Sequence, residues 1–390
     1  FAHLITLYQD KAPSPSGSAL DAVVRANPGA LWLIGNEPDS PLKDAVTPAR
    51  YAELYHDLYY QIKGVDPTAV LSAGGIAQPT PLRIRYLEAA LAAYRADYGT
   101  KMPVDVWNTH AYILPEIPME EAAGRPSAFL PVGISDAANE KHLFELEDHA
   151  NVGIIQDMIR RFREFMDRNG YRECPLIITE TGFILGWQEL YPDQQTADAH
   201  ILAFMDELIG YLLTATDAEI GYPHDGNRLV QRWAWFAQTG SGGGPLFEHD
   251  PETFTPGPMT VYGQRYAAFA AAQPRTVNLK PVELIAVDAP RAGVETRLQA
   301  KLINNGEVPT PRRVAVRFFD GDPSNGGAQI GATQYTPPID GGAGMAIASV
   351  PWTPPSSGTF EVFVEVDSPA GIYEADEGDN AKSVEIVVTQ

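Results

Sequence analysis

The chain has 390 residues, 44% of them apolar, and 50 Asp plus Glu stand against 28 Lys plus Arg, giving a net charge of -22. That length exceeds what one hydrophobic core usually organises, so two domains, or one large barrel with an appendage, are expected. The acidic balance excludes phosphate backbones and anionic lipid surfaces as partners, and no run reaches the ~18 apolar residues of a membrane helix, so neither nucleic acid nor membrane insertion is expected.

From the first residue to about Ala272, short apolar runs alternate with long amphipathic stretches. Strands are expected at His3–Tyr8, Leu31–Gly35, Val70–Ala73, Val104–Asn108, Leu176–Thr179 and Arg232–Phe236, each apolar on both faces as helix-covered parallel strands are. Helices are expected at Pro48–Lys63, Pro81–Tyr98, Val152–Asn169, Thr196–Thr214 and Met259–Ala271, several opening on a Pro or a Thr cap. Such alternation predicts a parallel α/β fold over residues 1–274. Beyond Asn278 the pattern changes to short β-rich runs, among them Val282–Val287, Arg297–Asn304, Val314–Phe319, Ile347–Val350, Thr359–Val366 and Ser383–Val388. Turns such as Asn304-Asn305-Gly306 and Asp340-Gly341-Gly342 separate them, which predicts an antiparallel sandwich over residues 275–390.

Three other features stand out. Residues Ile113–Ala150 have no periodicity and contain four prolines, a length of loop that inside a compact domain reads as a lid or rim. Gly240-Ser241-Gly242-Gly243-Gly244 lacks the Lys-Ser/Thr of a phosphate loop and reads as a flexible rim. Cys174, the single cysteine, permits no internal disulfide and no cysteine-rich metal site.

The chemistry resides in two carboxylates. The strand ending at Gly35 is followed by Asn36-Glu37-Pro38, and the strand ending at Thr179 by Glu180-Thr181-Gly182. Each places one carboxylate just past the C-terminal end of a buried parallel strand, the end where α/β barrels carry their active sites. On a closed barrel the two face each other across the mouth, and a separation of about 5–5.5 Å suits an acid/base and a nucleophile in retaining glycoside hydrolysis. Glu37 would have to be protonated near neutral pH, and Glu180 ionised.

The ordered set of Gly35-Asn36-Glu37-Pro38, His110 and Tyr112 after the strand Val104–Asn108, Thr179-Glu180-Thr181-Gly182, and Trp233 and Trp235 on the last strand resembles the clan A glycoside hydrolases, which are (β/α)8 barrels of the TIM type. The resemblance covers about residues 1–272. It implies Glu37 as acid/base, Glu180 as nucleophile, and Asn36, Trp107, His110, Tyr112, Trp233 and Trp235 as residues that bind a carbohydrate substrate, Asn36 through the 2-hydroxyl and one of Trp233 and Trp235 as a stacking floor. It also makes His3–Tyr8 the third barrel strand. Two strand–helix units, about 60 residues at about 30 each, are then expected ahead of this sequence, unless another element completes the barrel.

Beyond residue 277, Val316-Arg317-Phe318-Phe319-Asp320-Gly321-Asp322-Pro323, Pro351-Trp352 and the acidic stretch Glu374–Asn380 resemble the CARDB domain, an immunoglobulin-like sandwich of secreted and surface proteins. That association implies an extracellular or cell-surface protein, with self-association or surface contact through the sandwich. Asp320/Asp322 and Asp376/Glu377/Asp379 are the oxygen-rich turns where structural calcium would be sought; no other cofactor or metal is expected. The competing reading is a non-catalytic surface or matrix protein that keeps the barrel as a structural or glycan-binding module. A separation of Glu37 and Glu180 well beyond about 6 Å, or a blocked mouth, would favour it.

Overall fold

The computed structural model describes residues 2–390 apart from 123, 125, 141, 143, 187–189, 241, 250, 251, 253, 254 and 368–370. The strands β1 (Ala2–Ile5), β2 (Leu31–Ile34), β3 (Val70–Ile76), β4 (Val106–Ala111), β5 (Leu176–Thr181) and β6 (Arg232–Trp235) form one parallel sheet in sequential order. The helices α1 (Gly17–Ala26), α2 (Pro48–Val65), α3 (Pro81–Tyr98), α4 (Val152–Arg168) and α5 (Gln194–Thr214) cross between successive strands, and a short hairpin, β7 (Phe247–His249) with β8 (Pro256–Met259), precedes α6 (Val261–Ala272). No pairing joins β1 to β6 among the described residues, so the sheet is a half-barrel with two open edges. No described helix is long and apolar enough to cross a membrane.

Period-two alternation divides each strand between the two faces. On β4, Trp107 points outward, fully buried in edge-to-face contact with Phe162 and Phe165 of α4 and with Tyr171. Val106 points inward, and with Val70, Ile177, Leu31 and Leu33 it forms an apolar floor on the concave side. That floor is covered from the other domain.

The second domain has seven strands: β9 (Leu279–Ala286), β10 (Thr296–Asn304), β11 (Val314–Asp320), β12 (Ala328–Thr336), β13 (Gly344–Trp352), β14 (Gly358–Val366) and β15 (Ala381–Val388). They make two antiparallel sheets, ordered β13-β10-β9 and β12-β11-β14-β15. Leu298, Leu302, Val316, Phe318, Val362 and Val364 are among the side chains packed between them. From β13, Met345 and Ile347 turn away from this core and enter the floor of the half-barrel. Polar ties surround that contact: Lys301 Nζ lies 3.2 Å from Asp105 Oδ1, and Arg232 Nη1 3.3 Å from Asp340 Oδ2. The sandwich thus covers the floor of the concave side.

The segment from Ile113 to Ala150 is a packed rim over its described residues. Ile113, Ile117 and Phe129 are buried in it. Buried His149 staples it down: its Nδ1 lies 3.0 Å from the carbonyl of Ile113, and its Nε2 accepts the Leu185 N–H at 3.1 Å. Positions 123, 125, 141 and 143 of this rim, and Ser241 of the glycine-rich loop, lie outside the described residues. Of that loop, Gly243 donates to the Phe183 carbonyl and Gly244 accepts from Trp235, so it is tied to the structure beneath it. The acidic turns of the sandwich are engaged by their own chain: Asp322 Oδ1 accepts the Ser324 N–H, Asp376 Oδ1 the Gly378 N–H, and Glu377 Oε1 the Glu374 N–H.

Candidate active site

The C-terminal ends of β2, β4 and β5 bring three ionisable side chains together. After β2 the chain turns at Gly35, whose φ of 93° favours glycine, and a Cβ there would meet Leu7 Cδ1 at 3.0 Å. The Asn36 N–H donates to Asp44 Oδ2 at 2.8 Å, and the Glu37 N–H donates to the Gly75 carbonyl at 2.8 Å. Glu37 itself has a φ of 48°, a left-handed conformation that costs a non-glycine residue about 1 kcal/mol. Its side chain is thereby aimed at β4. On β5, a register shift opposite Thr109 and His110 turns Glu180 to the concave side, on the same side as Thr179, which donates to Asn108 Oδ1 at 3.0 Å.

His110 sits between the two carboxylates. Its Nδ1 is 2.9 Å from Glu37 Oε1, and its Nε2 is 3.6 Å from Glu180 Oε1, the second too long for a hydrogen bond. The Tyr112 hydroxyl donates to Glu180 Oε2 at 2.9 Å. The neighbouring carboxylate and burial push the Tyr112 phenol far above its ordinary pKa, burial being the larger cause, so it remains a donor. One ligand atom each from Glu37, His110 and Glu180 lie within 4.8 Å of one another. This is the one group of three such residues, among those described, close enough to hold a cation, but the shortest contacts of its carboxylates are with His110 and Tyr112. The mouth is open, with the Glu180 side chain 29% exposed and that of Glu37 13%.

Burial is the largest influence on Glu37 and raises its pKa, but the hydrogen bond and charge of His110, with Lys43 and Arg83 further off, together bring it below the ordinary value. The sequence expectation of a Glu37 held protonated near neutral pH is therefore corrected for the free site: the histidine that orients this carboxylate also favours its ionised form.

Of the residues expected around the substrate, the fold brings His110 and Tyr112 to the carboxylates, and Asn36 adjoins Glu37 in the chain with its N–H held by Asp44. The fold does not bring Trp107, Trp233 or Trp235 there. Trp107 is enclosed beneath α4, as described above. Trp235 faces outward against Phe204 and donates from Nε1 to the Gly244 carbonyl at 2.7 Å. Trp233 lies on that same outer face, partly buried against the α5 cluster. The aromatic ring that does face the site is Phe236, 39% exposed and edge-to-face with Tyr112 at 6.0 Å. The signal was available in the sequence, since strand alternation sets Phe236 opposite the two tryptophans. Gly182 allows the approach of its backbone: a Cβ there would lie 2.5 Å from the Phe236 carbonyl oxygen.

Fold and site together define a parallel half-barrel carrying two carboxylates with a histidine between them at its C-terminal rim, joined to a seven-stranded sandwich. No family model matches the chain, and no curated protein matches it. Among solved structures it is similar to a subgroup II endo-β-1,3-glucanase of glycoside hydrolase family 128 from Sorangium cellulosum, at 15% identity over 68% of this chain and 79% of that one, with a TM-score of 0.39. A curdlan-specific exo-β-1,3-glucanase of the same family from Blastomyces gilchristii, in complex with glucose, has 15% identity over 68% and 80%, with a TM-score of 0.37. A CARDB domain from Pyrococcus furiosus, in complex with di-metal ions, has 17% identity over 29% of this chain and 90% of that one, with a TM-score of 0.24.

Proposed function

We propose that the chain is a retaining glycoside hydrolase that cleaves β-linked poly- or oligosaccharides by double displacement, with the catalytic unit in residues 1–274 and an appended sandwich in 275–390. The observation that carries this reading is the approach of Glu37 and Glu180, one oxygen from each within 4.8 Å, in an open mouth at the C-terminal end of a parallel sheet. That is the short spacing at which the second carboxylate attacks directly, with no room for an intervening water.

In the first step a Glu180 oxygen attacks the anomeric carbon as the bond to the leaving oxygen breaks, and Glu37 supplies the proton that the leaving oxygen takes. In the second, Glu37 takes a proton from water as that water attacks the anomeric carbon and releases Glu180. The Tyr112 hydroxyl, donating to Glu180 Oε2, holds that carboxylate oriented. A sugar seated over Phe236 and Tyr112 excludes water, and the added burial raises Glu37 toward the protonated form the first step needs. Because Glu37 starts below its ordinary value, the basic limb of kcat/KM falls on the acid side of neutrality.

The resemblance to sandwich domains of secreted proteins supports an extracellular or cell-surface site of action, with the sandwich free to contact a surface or another copy. Screening the protein against β-1,3-, β-1,4- and β-1,6-linked glycans tests the reading. Glu180→Gln should remove turnover of whichever substrate is cleaved, by about 10⁴-fold; unchanged turnover ends the assignment.

A further inference from the structure

We propose that Arg83, a residue of α3 outside the reacting group, is the positioning residue that holds Glu37 in its reacting orientation; this rests on the reading of Glu37 as the acid/base. Arg83 is completely buried. Its Nη1 donates to Asp39 Oδ2, two residues beyond Glu37. Its Nε donates to Glu116 Oε1 at 2.6 Å, and its Nη2 to the carbonyls of Ala128 and Phe129, the latter at 2.8 Å. One guanidinium therefore ties the loop after β2 to the rim after β4. Thr80 reinforces the joint, its hydroxyl donating to Glu116 Oε1 at 2.7 Å.

What needs holding is evident in the backbone. Glu37 and Ala45 in the first loop and Phe129 in the second all have left-handed φ, at 48°, 52° and 56°. Non-glycine residues persist there only where the surroundings over-determine them. On the Glu37 loop those surroundings are the Gly75 carbonyl, Asp44 on the Asn36 N–H, and the Arg83–Asp39 pair. A rigid, planar, permanently charged fork suits this task, and a lysine would reach fewer of the four acceptors. Asp39 also accepts the rim at its backbone, through the Val132 N–H at 2.9 Å, so the two loops are fixed as one body.

The test compares wild type with Arg83→Lys. Misplacing an acid/base carboxylate by about 1 Å costs on the order of 100-fold in rate, so kcat on an alkyl or sugar leaving group should fall about 10- to 100-fold with KM nearly unchanged. On a 2,4-dinitrophenyl glycoside, whose leaving group needs no proton, the first step should be largely spared. Azide, which forms a C–N bond to the anomeric carbon as the C–O bond to Glu180 breaks, should restore turnover without base assistance. Equal losses on both substrates with no azide rescue, or no loss on either, would overturn the proposal. A crystal structure of Arg83→Lys supplies an arm independent of activity. Loss of the Glu37–His110 contact with Tyr112–Glu180 kept supports the proposal, and both contacts kept overturns it. A wild type inactive on every glycoside would instead count against Glu37 as acid/base, and the crystallographic arm still decides what Arg83 positions. Should Arg83→Lys not fold, Asp39→Asn carries the same measurements.

Discussion

The two ends of the half-barrel's concave face are built from the same strands with opposite physics. At the N-terminal end, Val70, Val106 and Ile177 meet Met345 and Ile347 of the sandwich in an apolar contact. At the C-terminal end, His110, two inward positions along β4 from Val106, lies between two carboxylates and close to left-handed backbone. One alternation serves both. Inward side chains early in a strand are free to be apolar because another domain covers them, and those late in a strand are free to be polar because the mouth stays open. The apolar contact and the ionisable cluster are thereby segregated along the strand axis.

A charge placed in the apolar end should have the largest effect. Ile347→Asp buries a carboxylate in that apolar contact, and its cross-strand neighbour Lys301 is already committed to Asp105 and Glu283, so it should cost about 3 kcal/mol of stability, read as a large fall in the midpoint of thermal unfolding. Ile347→Val should cost only about 1 kcal/mol and leave kcat unchanged. A catalytic defect in a folded Ile347→Val protein would mean that the two ends are coupled rather than segregated.

The two faces of β6 allow a finer test. Trp235→Ala should cost about 3–5 kcal/mol of stability, whereas Phe236→Ala should leave the melt nearly unchanged and raise KM about tenfold through the lost sugar contact. The reverse pattern would restore the tryptophans to the role that the sequence suggested.

A smaller, pH-dependent effect belongs to His149. Burial holds its pKa down to about 4, below the usual value of 6.5, against the pull of the Ile113 carbonyl. Because the unfolded chain binds this proton more readily than the folded one, the residue's contribution is complete above about 6.5 and is lost as pH falls from there toward 4. His149→Gln should flatten the acid limb of a stability-versus-pH curve over that window by on the order of 1–3 kcal/mol. An unchanged limb would show that the staple between the rim and the loop after β5 is not what acid loosens.

Much of this arrangement was legible in the sequence because it is local. The buried strands announced themselves as apolar runs, with Glu37 just beyond one of them; Glu180, expected just past the next such run, lies inside β5 near its C-terminal end. What was missed depends on contacts distant in the chain or on weak patterning. Helix α1 buries Leu20 and Val24 but is only 10 residues long, too short a run for its periodicity to stand out. Strand β12, a sheet edge, is largely exposed and lacks clean alternation. The outward direction of Trp233 and Trp235 follows from the neighbouring strand, where Ile178 pairs with Trp233 and belongs to the helix-facing cluster. The use of Met345 and Ile347 as a floor, and of Arg83 as a link to Asp39 and Glu116, needed the tertiary fold, since no sequence spacing brings them together.

If Glu37 and Glu180 act on one anomeric carbon as proposed, the configuration of the first sugar released reports it. Proton NMR of a β-linked substrate during the opening minutes of hydrolysis should show the β-anomer of the new reducing end appearing first, with the α-anomer growing in only by mutarotation. An α-anomer formed first would mean that a water stands between Glu180 and the sugar, which contradicts double displacement by this pair.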